Sequence, residues 1–484
     1  MELQQFKAFI TIIILSFISI ILMLYYFTGL LSSKLPTFVY DINLKTIPTK
    51  APSPSYIPSK STIDNQYLLH KVTISNSSNR ILTSQNEWIS TKPPYSTVVL
   101  PEYKALGVDC SRIFNNDVEY TKTIIKQQDS IKHTIFPDQK VADYAIDCTK
   151  YRRHYTTTIP TREEADYPLA FQILTFKDAA QFEYLLKTIY RPHNQYCIHV
   201  DKKSKQPFWS AILNIAKCFD NIEVIDEKEA VDVKWGFYSV LEPEIICMKN
   251  LWKRKTKWKY LINLTAQEFP LQTMQDLIKI LKSLKGANSL EGTVARRNVE
   301  RTEKDINMKP KIPFNKGITI AKGAVHLVVQ RGFVDYALHN TTALEFNDWL
   351  KDTFHPDETY FPSLNHSPQL HIPGSYTGNP ETDPVTYPFI GRFKNWGGYP
   401  FDYPCAGKRV RGICILSIGD LSLLANRKEL FANKFHLDYQ PFALQCMREL
   451  IYNRTRDELA GKREIDLSYY ENLKMVKYHI GSSP

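Results

Sequence analysis

The chain of 484 residues predicts an α/β fold: a Rossmann-like, parallel to mixed sheet flanked by helices, preceded by a transmembrane helix and a stem. Three observations carry this. Strand-like and helix-like stretches alternate from Tyr167 to Leu284, the order a parallel sheet covered on both faces requires. One run near the start, AFITIIILSFISIILMLYYFTGLL over 8–31, is almost continuously apolar. A segment rich in Ser, Thr, Pro, Asn and Lys separates the two, as in Pro48-Thr-Lys-Ala-Pro-Ser-Pro-Ser-Tyr-Ile-Pro58.

At ~1.5 Å per residue the apolar run reaches about 36 Å as a helix, enough to span a bilayer. A cleaved signal peptide would have an apolar core of only ~7–15 residues, so an uncleaved anchor is expected. Residues 1–7 are then a cytoplasmic tail, 8–31 the signal anchor, 32–105 a stem, 106–455 the main folded domain and 456–484 a C-terminal tail. Glu2, Lys7 and Lys34 barely orient the anchor.

Within the domain, Val118 to Gln128 has helical spacing. Pro168 to Thr175 reads as a buried strand, Ala179 to Tyr190 as a helix with Phe182, Leu185, Leu186 and Ile189 on one face, and Tyr196 to Asp201 as a second strand. Helical spacing over Phe208–Phe219, Val240–Trp252 and Leu277–Leu284 alternates with strands at Ile222–Asp226 and Trp258–Thr265. After Leu290 the chain turns polar, with Glu291, Arg296, Arg297, Glu300 and Arg301 close together. Strand and helix resume from Gly323 to Leu338, and Ala343 to Asp352 is helical. Tyr376 to Pro388 is turn-rich. Arg409 to Leu416 reads as one strand, Phe431 to Phe435 follows, and a helix runs from Pro441 to Tyr452.

The formal net charge is +11. No long Lys/Arg block and no nucleic-acid-binding signature accompanies it, so no nucleic-acid partner is expected. A cleft that attracts anions such as phosphorylated metabolites is the more economical reading. The eight cysteines all lie beyond residue 109, and none forms a C-x-x-C pair. That pattern fits four disulfides in an oxidising compartment rather than a zinc or redox site. Sequons at Asn76, Asn340, Asn365 and Asn453 agree, whereas Asn263-Leu-Thr sits in an apolar run. Cysteines and sequons together place the C-terminal bulk on the lumenal or outer side.

No nucleophile elbow, P-loop or dinucleotide fingerprint is present. What remains is carboxylates, basic residues and a parallel sheet in a secretory-pathway protein, a set that fits glycosyl transfer from a nucleotide sugar. The leaving nucleoside diphosphate must be stabilised. No Asp-x-Asp occurs to hold a divalent ion, so lysine and arginine would supply the charge. The stretch Asp352-Thr-Phe-His-Pro-Asp-Glu-Thr-Tyr-Phe361 supplies carboxylates. Pro356 suits a first helical position, and Asp357 and Glu358 either complement the helix dipole or provide a general base. Asp201 ends a strand, where open α/β sheets bind ligands, although on position alone a turn or cap carboxylate is the more common occupant.

From Cys110 to Tyr452 the chain resembles the core-2/I-branching β-1,6-N-acetylglucosaminyltransferase family, which also contains peptide xylosyltransferases. The landmarks, in order, are Tyr196-Cys-Ile-His-Val-Asp201, Ala216-Lys-Cys-Phe-Asp-Asn221, Trp258-Lys-Tyr-Leu-Ile-Asn-Leu264, Asp352-Thr-Phe-His-Pro-Asp-Glu358, Val410-Arg-Gly-Ile-Cys414, Gly419-Asp-Leu-Ser422 and Phe431-Ala-Asn-Lys-Phe435. The resemblance implies a GT-A-like fold, single-pass type II Golgi topology and inverting, metal-independent transfer from a UDP-GlcNAc donor to the 6-hydroxyl of an O-glycan acceptor on glycoproteins. No cofactor is implied, and a homodimer is compatible with it. Matched by motif, Glu358 is the catalytic base. Arg411 and Lys434 hold the diphosphate, Asp201 lies near the uridine, and Glu291, Arg301 and Trp396 contact acceptor sugar. The implied disulfides are Cys110–Cys446, Cys148–Cys218, Cys197–Cys247 and Cys405–Cys414.

Departures fall on the acceptor side. Asn298 stands where a lysine is usual, the loop from Trp396 to Cys405 is short, and Gly398 replaces a tyrosine for which Tyr399 could substitute. Transfer of xylose or another sugar on the same scaffold, and a glycan-binding ectodomain without turnover, are the alternatives.

Overall fold

The computed structural model describes residues 100–130, 136–153, 155, 160–398 and 403–481. The apolar run at 8–31, most of the stem, the Asn76 sequon and Tyr399 lie outside the described residues. Among the described residues no helix is long and apolar enough to cross a membrane.

Eleven strands are described: β1 Ala170–Thr175, β2 Gln195–Val200, β3 Ile222–Val224, β4 Tyr260–Thr265, β5 Glu268–Pro270, β6 Ser289–Leu290, β7 Leu327–Gln330, β8 Arg392–Lys394, β9 Lys408–Val410, β10 Ile413–Ile415 and β11 Phe431–Asn433. The main sheet has the order β3-β2-β1-β4-β7-β6. Its first four strands are parallel, with Ala170 of β1 in register with Gln195 on one side and Leu261 on the other. β7 runs antiparallel to both β4 and β6. The sheet is therefore mixed, and its four parallel strands lie where the strand–helix alternation predicts them. Phe171 and Ile173 of β1, Ile198 and Val200 of β2, and Leu261 and Ile262 of β4 are all fully buried. Such unbroken apolar runs mark strands covered on both faces.

The covering helices start where the sequence provides caps. Asp178 accepts the Gln181 N–H at 3.0 Å and opens Ala179–Ile189, which buries Phe182, Leu185, Leu186 and Ile189. Pro207 sits in the first turn of Gln206–Ala216, where its missing N–H leaves no bond unmade. Thr273 accepts the Asp276 N–H at 3.0 Å and opens Met274–Ser283.

Two stretches differ from the sequence expectation. Arg409 to Leu416 is not one strand but the β9–β10 hairpin, turned by Arg411 and Gly412. Its apolar and basic residues have strand propensity throughout, and only the glycine betrays the reversal. The stretch after 455 is not a tail. The last long helix runs Pro441–Leu459, and the chain then folds back through two short helical turns that bury Tyr470, Met475 and Val476. Three widely spaced apolar side chains in a polar background leave no periodic signal.

The four disulfides join the pairs the resemblance implies: Cys110–Cys446, Cys148–Cys218, Cys197–Cys247 and Cys405–Cys414. The first closes a loop of 336 residues between the start of the folded part and its last long helix. Removing it as Cys110→Ser/Cys446→Ser is expected to lower unfolding stability by about 2–5 kcal/mol, read as a drop in the denaturation midpoint.

The sequons separate by burial. Asn263 and Asn365 are buried. Asn263 donates to Glu244 and to the Val325 carbonyl, and Asn365 accepts from Asn288 at 3.3 Å. Neither amide faces solvent. Asn340 caps a helix through its oxygen, accepting the Thr342 N–H at 2.9 Å. Asn453 lies mid-helix and clamps Tyr103 with both amide atoms, at 3.0 and 2.9 Å.

Candidate active site

The carboxylates at 357 and 358 stand on a single 3-10 turn, Pro356–Glu358, rather than at the start of a long helix. His355, with φ of 52°, reverses the chain into it. Backbone bonds hold the turn at both ends. His355 N–H donates to Gly236 O at 2.8 Å, and Gly323 N–H donates to Glu358 O at 2.8 Å. The half-buried Glu358 carboxylate accepts from Arg301 Nη1 at 2.6 Å, and Lys322 Nζ lies 3.9 Å from the same oxygen. Asp357 points inward. Its Oδ1 is buried without a partner, and burial, reinforced by the charge of Glu358, pushes its carboxyl up to about 7. The two acids are thus divided: one faces a cationic opening and the other lies beneath it.

Glu291 follows β6 and accepts from Lys394 Nζ at 2.6 Å. Burial alone would raise its carboxyl. The charge and hydrogen bond of Lys394, with Lys322 and His326 nearby, outweigh burial and hold it below the usual range. Gly323 joins the two carboxylate-bearing segments. A Cβ added there would lie 2.0 Å from Glu291 O, so only glycine allows the backbones to touch while its N–H binds Glu358 O. Thr293 and Lys322 exchange backbone hydrogen bonds alongside, at 2.8 and 2.9 Å. Glu291, Arg301, Lys322 and Glu358 therefore form one cluster, and Arg301 acts there by gripping Glu358 rather than standing apart from it.

A second sheet, β5-β11-β8, carries the lysines. Lys394 ends β8, and Lys434 directly follows Asn433, its register partner on β11. Beneath them Glu268 of β5 is completely buried and binds Arg392 Nε at 2.9 Å, His326 Nε2 at 2.9 Å and Asn433 Nδ2 at 2.8 Å. Burial would raise Glu268, but Arg392 and His326 overcome it and bring its carboxyl down to about 2. Burial lowers the Lys434 ammonium, the neighbouring Arg411 lowers it further, and Glu268 opposes both. Glu268 is thus the buried counter-charge of the sheet that aims Lys434. Glu268→Gln leaves Arg392 buried without its partner and is expected to cost about 3–5 kcal/mol. Because the folded carboxyl lies below its unfolded value of ~4.3, its contribution is complete above that pH and is lost as pH falls toward 2. Acid unfolding of the variant, followed by fluorescence, should show a flatter dependence over that window.

Arg411 is exposed at the tip of the β9–β10 hairpin. The two turn residues have φ of 51° and 86°, the pattern of a type I′ turn, which favours Asn-Gly. A non-glycine residue with a long side chain costs energy there and persists where surroundings hold it. The Cys405–Cys414 bridge, the Cys414 N–H to Asn395 O bond at 2.9 Å and Arg409 donating to Gly412 O at 3.0 Å do so. Trp396, 57% exposed, lies beside this tip, with its ring 3.6 Å from where a Gly412 Cβ would stand. The structure thus sets Trp396 against the tip of the basic hairpin. Gly398 has φ of 78°, a backbone that disfavours the tyrosine usual at that place.

Asp201 follows β2 at the carboxyl edge of the parallel strands. It accepts the Lys203 N–H at 3.0 Å, and Lys203 Nζ lies 3.5 Å away while also pairing with Asp232 at 2.9 Å. Among the described residues, the side-chain hydrogen bond and ion pair of Asp201 are both with Lys203.

Sequence reasoning missed Lys394, Lys322, Glu268, His326 and Trp235. Trp235 is 73% exposed and sits edge-on to His355 at 4.5 Å between centroids. A tryptophan–glycine pair in the polar stretch after β3 was its signal. Glu268 was marked by being charged between two apolar stretches, Tyr260–Leu264 and Phe269–Leu271. Among the described residues no three His, Cys, Asp or Glu side chains converge as a metal site requires.

Residues 169–425 match the family model described as Core-2/I-Branching enzyme. A human beta-1,3-galactosyl-O-glycosyl-glycoprotein beta-1,6-N-acetylglucosaminyltransferase is 30% identical over 397 residues, covering 77% of this chain and 92% of its own. The mouse enzyme numbered 4 of the same description is 33% identical, over 74% and 82% of the two chains. A human N-acetyllactosaminide beta-1,6-N-acetylglucosaminyl-transferase is 31% identical, over 75% and 89%. Mouse xyloside xylosyltransferase 1, apo form, overlaps 47% of this chain and 88% of its own at 12% identity with a TM-score of 0.24, too loose to carry an argument.

Proposed function

The chain belongs to the core-2/I-branching enzyme family, and from that premise we propose that it moves N-acetylglucosamine from UDP-GlcNAc to the 6-hydroxyl of an O-glycan, with inversion and without a divalent metal. Glu358 takes the proton of the acceptor hydroxyl as that oxygen forms its bond to the anomeric carbon. The bond to UDP breaks on the opposite face, so an α-linked donor gives a β-linked product. Arg411 and Lys434 neutralise the charge that grows on the diphosphate, the task a metal would otherwise perform. Arg301, bonded to the Glu358 carboxylate at 2.6 Å, holds it in position until the acceptor enters. Glu291 and Trp396 contact acceptor sugar, and Asp201 contacts the uridine end of the donor.

The observation that carries this reading is the Glu358 carboxylate, fixed on a one-turn element whose backbone is bonded through Gly323 to the Glu291 segment. The disulfides support residence in an oxidising lumen, and a single-pass Golgi anchor at 8–31 completes the proposal. Purified protein given UDP-GlcNAc and a Galβ1,3GalNAc acceptor in EDTA should release UDP and form a branched trisaccharide. Excess UDP-xylose should compete weakly. Preferred xylose transfer would replace the reading with a xylosyltransferase.

A further inference from the structure

The segment that follows the last long helix packs against the turn-rich loop. Gly374 N–H donates to Ile480 O at 2.8 Å, Ile480 N–H to Ser375 O at 2.9 Å and Thr377 N–H to Tyr478 O at 3.0 Å. Between the two lies a cleft of about 400 Å³, bordered by Val385, Tyr469 and Lys474. A second space of about 330 Å³, bordered by Tyr376, Asp383 and Tyr478, adjoins it, and both share Thr386 and Lys474. Each lies within the ~300–1,000 Å³ range of small-ligand sites.

The walls have a particular chemistry. Tyr469 and Tyr478 expose 36% and 52% of their surface, offering aromatic faces with polar edges. Lys474 is exposed and pairs with no carboxylate among the described residues. Asp383 makes no ion pair with it among the described residues; its carboxylate turns to its own loop and accepts from the Val385 and Thr386 N–H groups at 2.9 and 2.6 Å. Aromatic faces flanked by hydrogen-bonding groups suit a sugar ring, which has an apolar C–H face and a polar rim.

The cleft is tied to the site. Glu381 accepts from the Val294 and Ala295 N–H groups at 2.8 and 2.7 Å, and Gly292 N–H donates to Thr382 Oγ1 at 2.9 Å. Gly292 directly follows Glu291. One border of the cleft and the Glu291 segment are therefore a single hydrogen-bonded unit.

We propose that this cleft binds saccharide, namely the arm of the acceptor glycan that extends beyond the sugar receiving the transfer. The assignment of that sugar as an acceptor rests on the proposed glycan transfer. The test measures binding apart from turnover, using the full-length chain in detergent. Galβ1,3GalNAc, the same disaccharide extended by two neutral sugars, and the disaccharide on a short peptide are titrated against the wild type, Tyr469→Ala and Lys474→Ala. Both substitutions are at surface positions, and thermal melts check that each variant is folded. The extended glycan should bind about ten-fold more tightly than the disaccharide, and both variants should erase that difference while leaving disaccharide affinity unchanged. Equal affinity for both lengths, an unaltered difference in the variants, or a gain seen only with the peptide would overturn the proposal. Absent turnover with every acceptor would instead count against the transferase reading, and the binding series would still decide the cleft.

Discussion

Glu358→Gln should reduce kcat by about 10²–10⁴-fold while UDP affinity and thermal stability stay near wild type. That range is what a positioned general base contributes. The amide keeps the shape of the side chain and can still accept from Arg301, which bonds the carboxylate at 2.6 Å. It cannot take up the proton of an attacking hydroxyl. The surrounding turn is set by backbone bonds from Gly323 and to Gly236, which the substitution leaves intact. Asp357→Asn is the informative control. Asp357 is buried and held partly protonated by burial and by the Glu358 charge, so its loss should be read mainly in stability. Near-normal transfer by a folded Glu358→Gln protein would remove Glu358 from the mechanism.

Lys434→Ala and Arg411→Ala should each lower kcat by about 10²–10³-fold, the scale of losing one preorganised group that stabilises developing negative charge. In the proposed mechanism the pair acts on one leaving group, so the double variant should lose less than the product of the singles. A donor with a better leaving group needs less stabilisation and should recover a larger fraction of the lost rate in the variants than in the wild type. Lys434→Arg should not restore full activity. Lys434 is half-buried above the Glu268 network, and a planar guanidinium does not replace a compact ammonium there. Equal recovery with every donor would mean that these residues serve the fold rather than the leaving group.

Much of the frame could be read from the residues, because a parallel sheet buried on both faces writes itself as continuous apolar strands spaced by amphipathic helices. Phe171 and Ile198 carry that signal directly. The hairpin at Arg411 was harder, since a two-residue reversal inside a strand-like run leaves only Gly412 as a mark. The packed segment after Leu459 was harder still, because Tyr470, Met475 and Val476 are too sparse for periodicity. Within the site, Glu358, Arg411 and Lys434 came from the family resemblance. The groups that orient them did not. Lys394 reaches Glu291 across a gap of 103 positions, and Arg392 reaches Glu268 across 124. Such pairs depend on how separate strands meet, which local spacing does not encode. Gly323 is similar: its need for glycine arises from a backbone brought in from Glu291.

The most direct test of the central claim is the anomeric configuration of the product, read by proton NMR from UDP-GlcNAc and Galβ1,3GalNAc with EDTA in excess. A base-assisted displacement with cationic side chains in place of a metal should give a β1,6-linked product at an undiminished rate. An α-linked product, or a rate that collapses in EDTA and returns with a divalent ion, would contradict it.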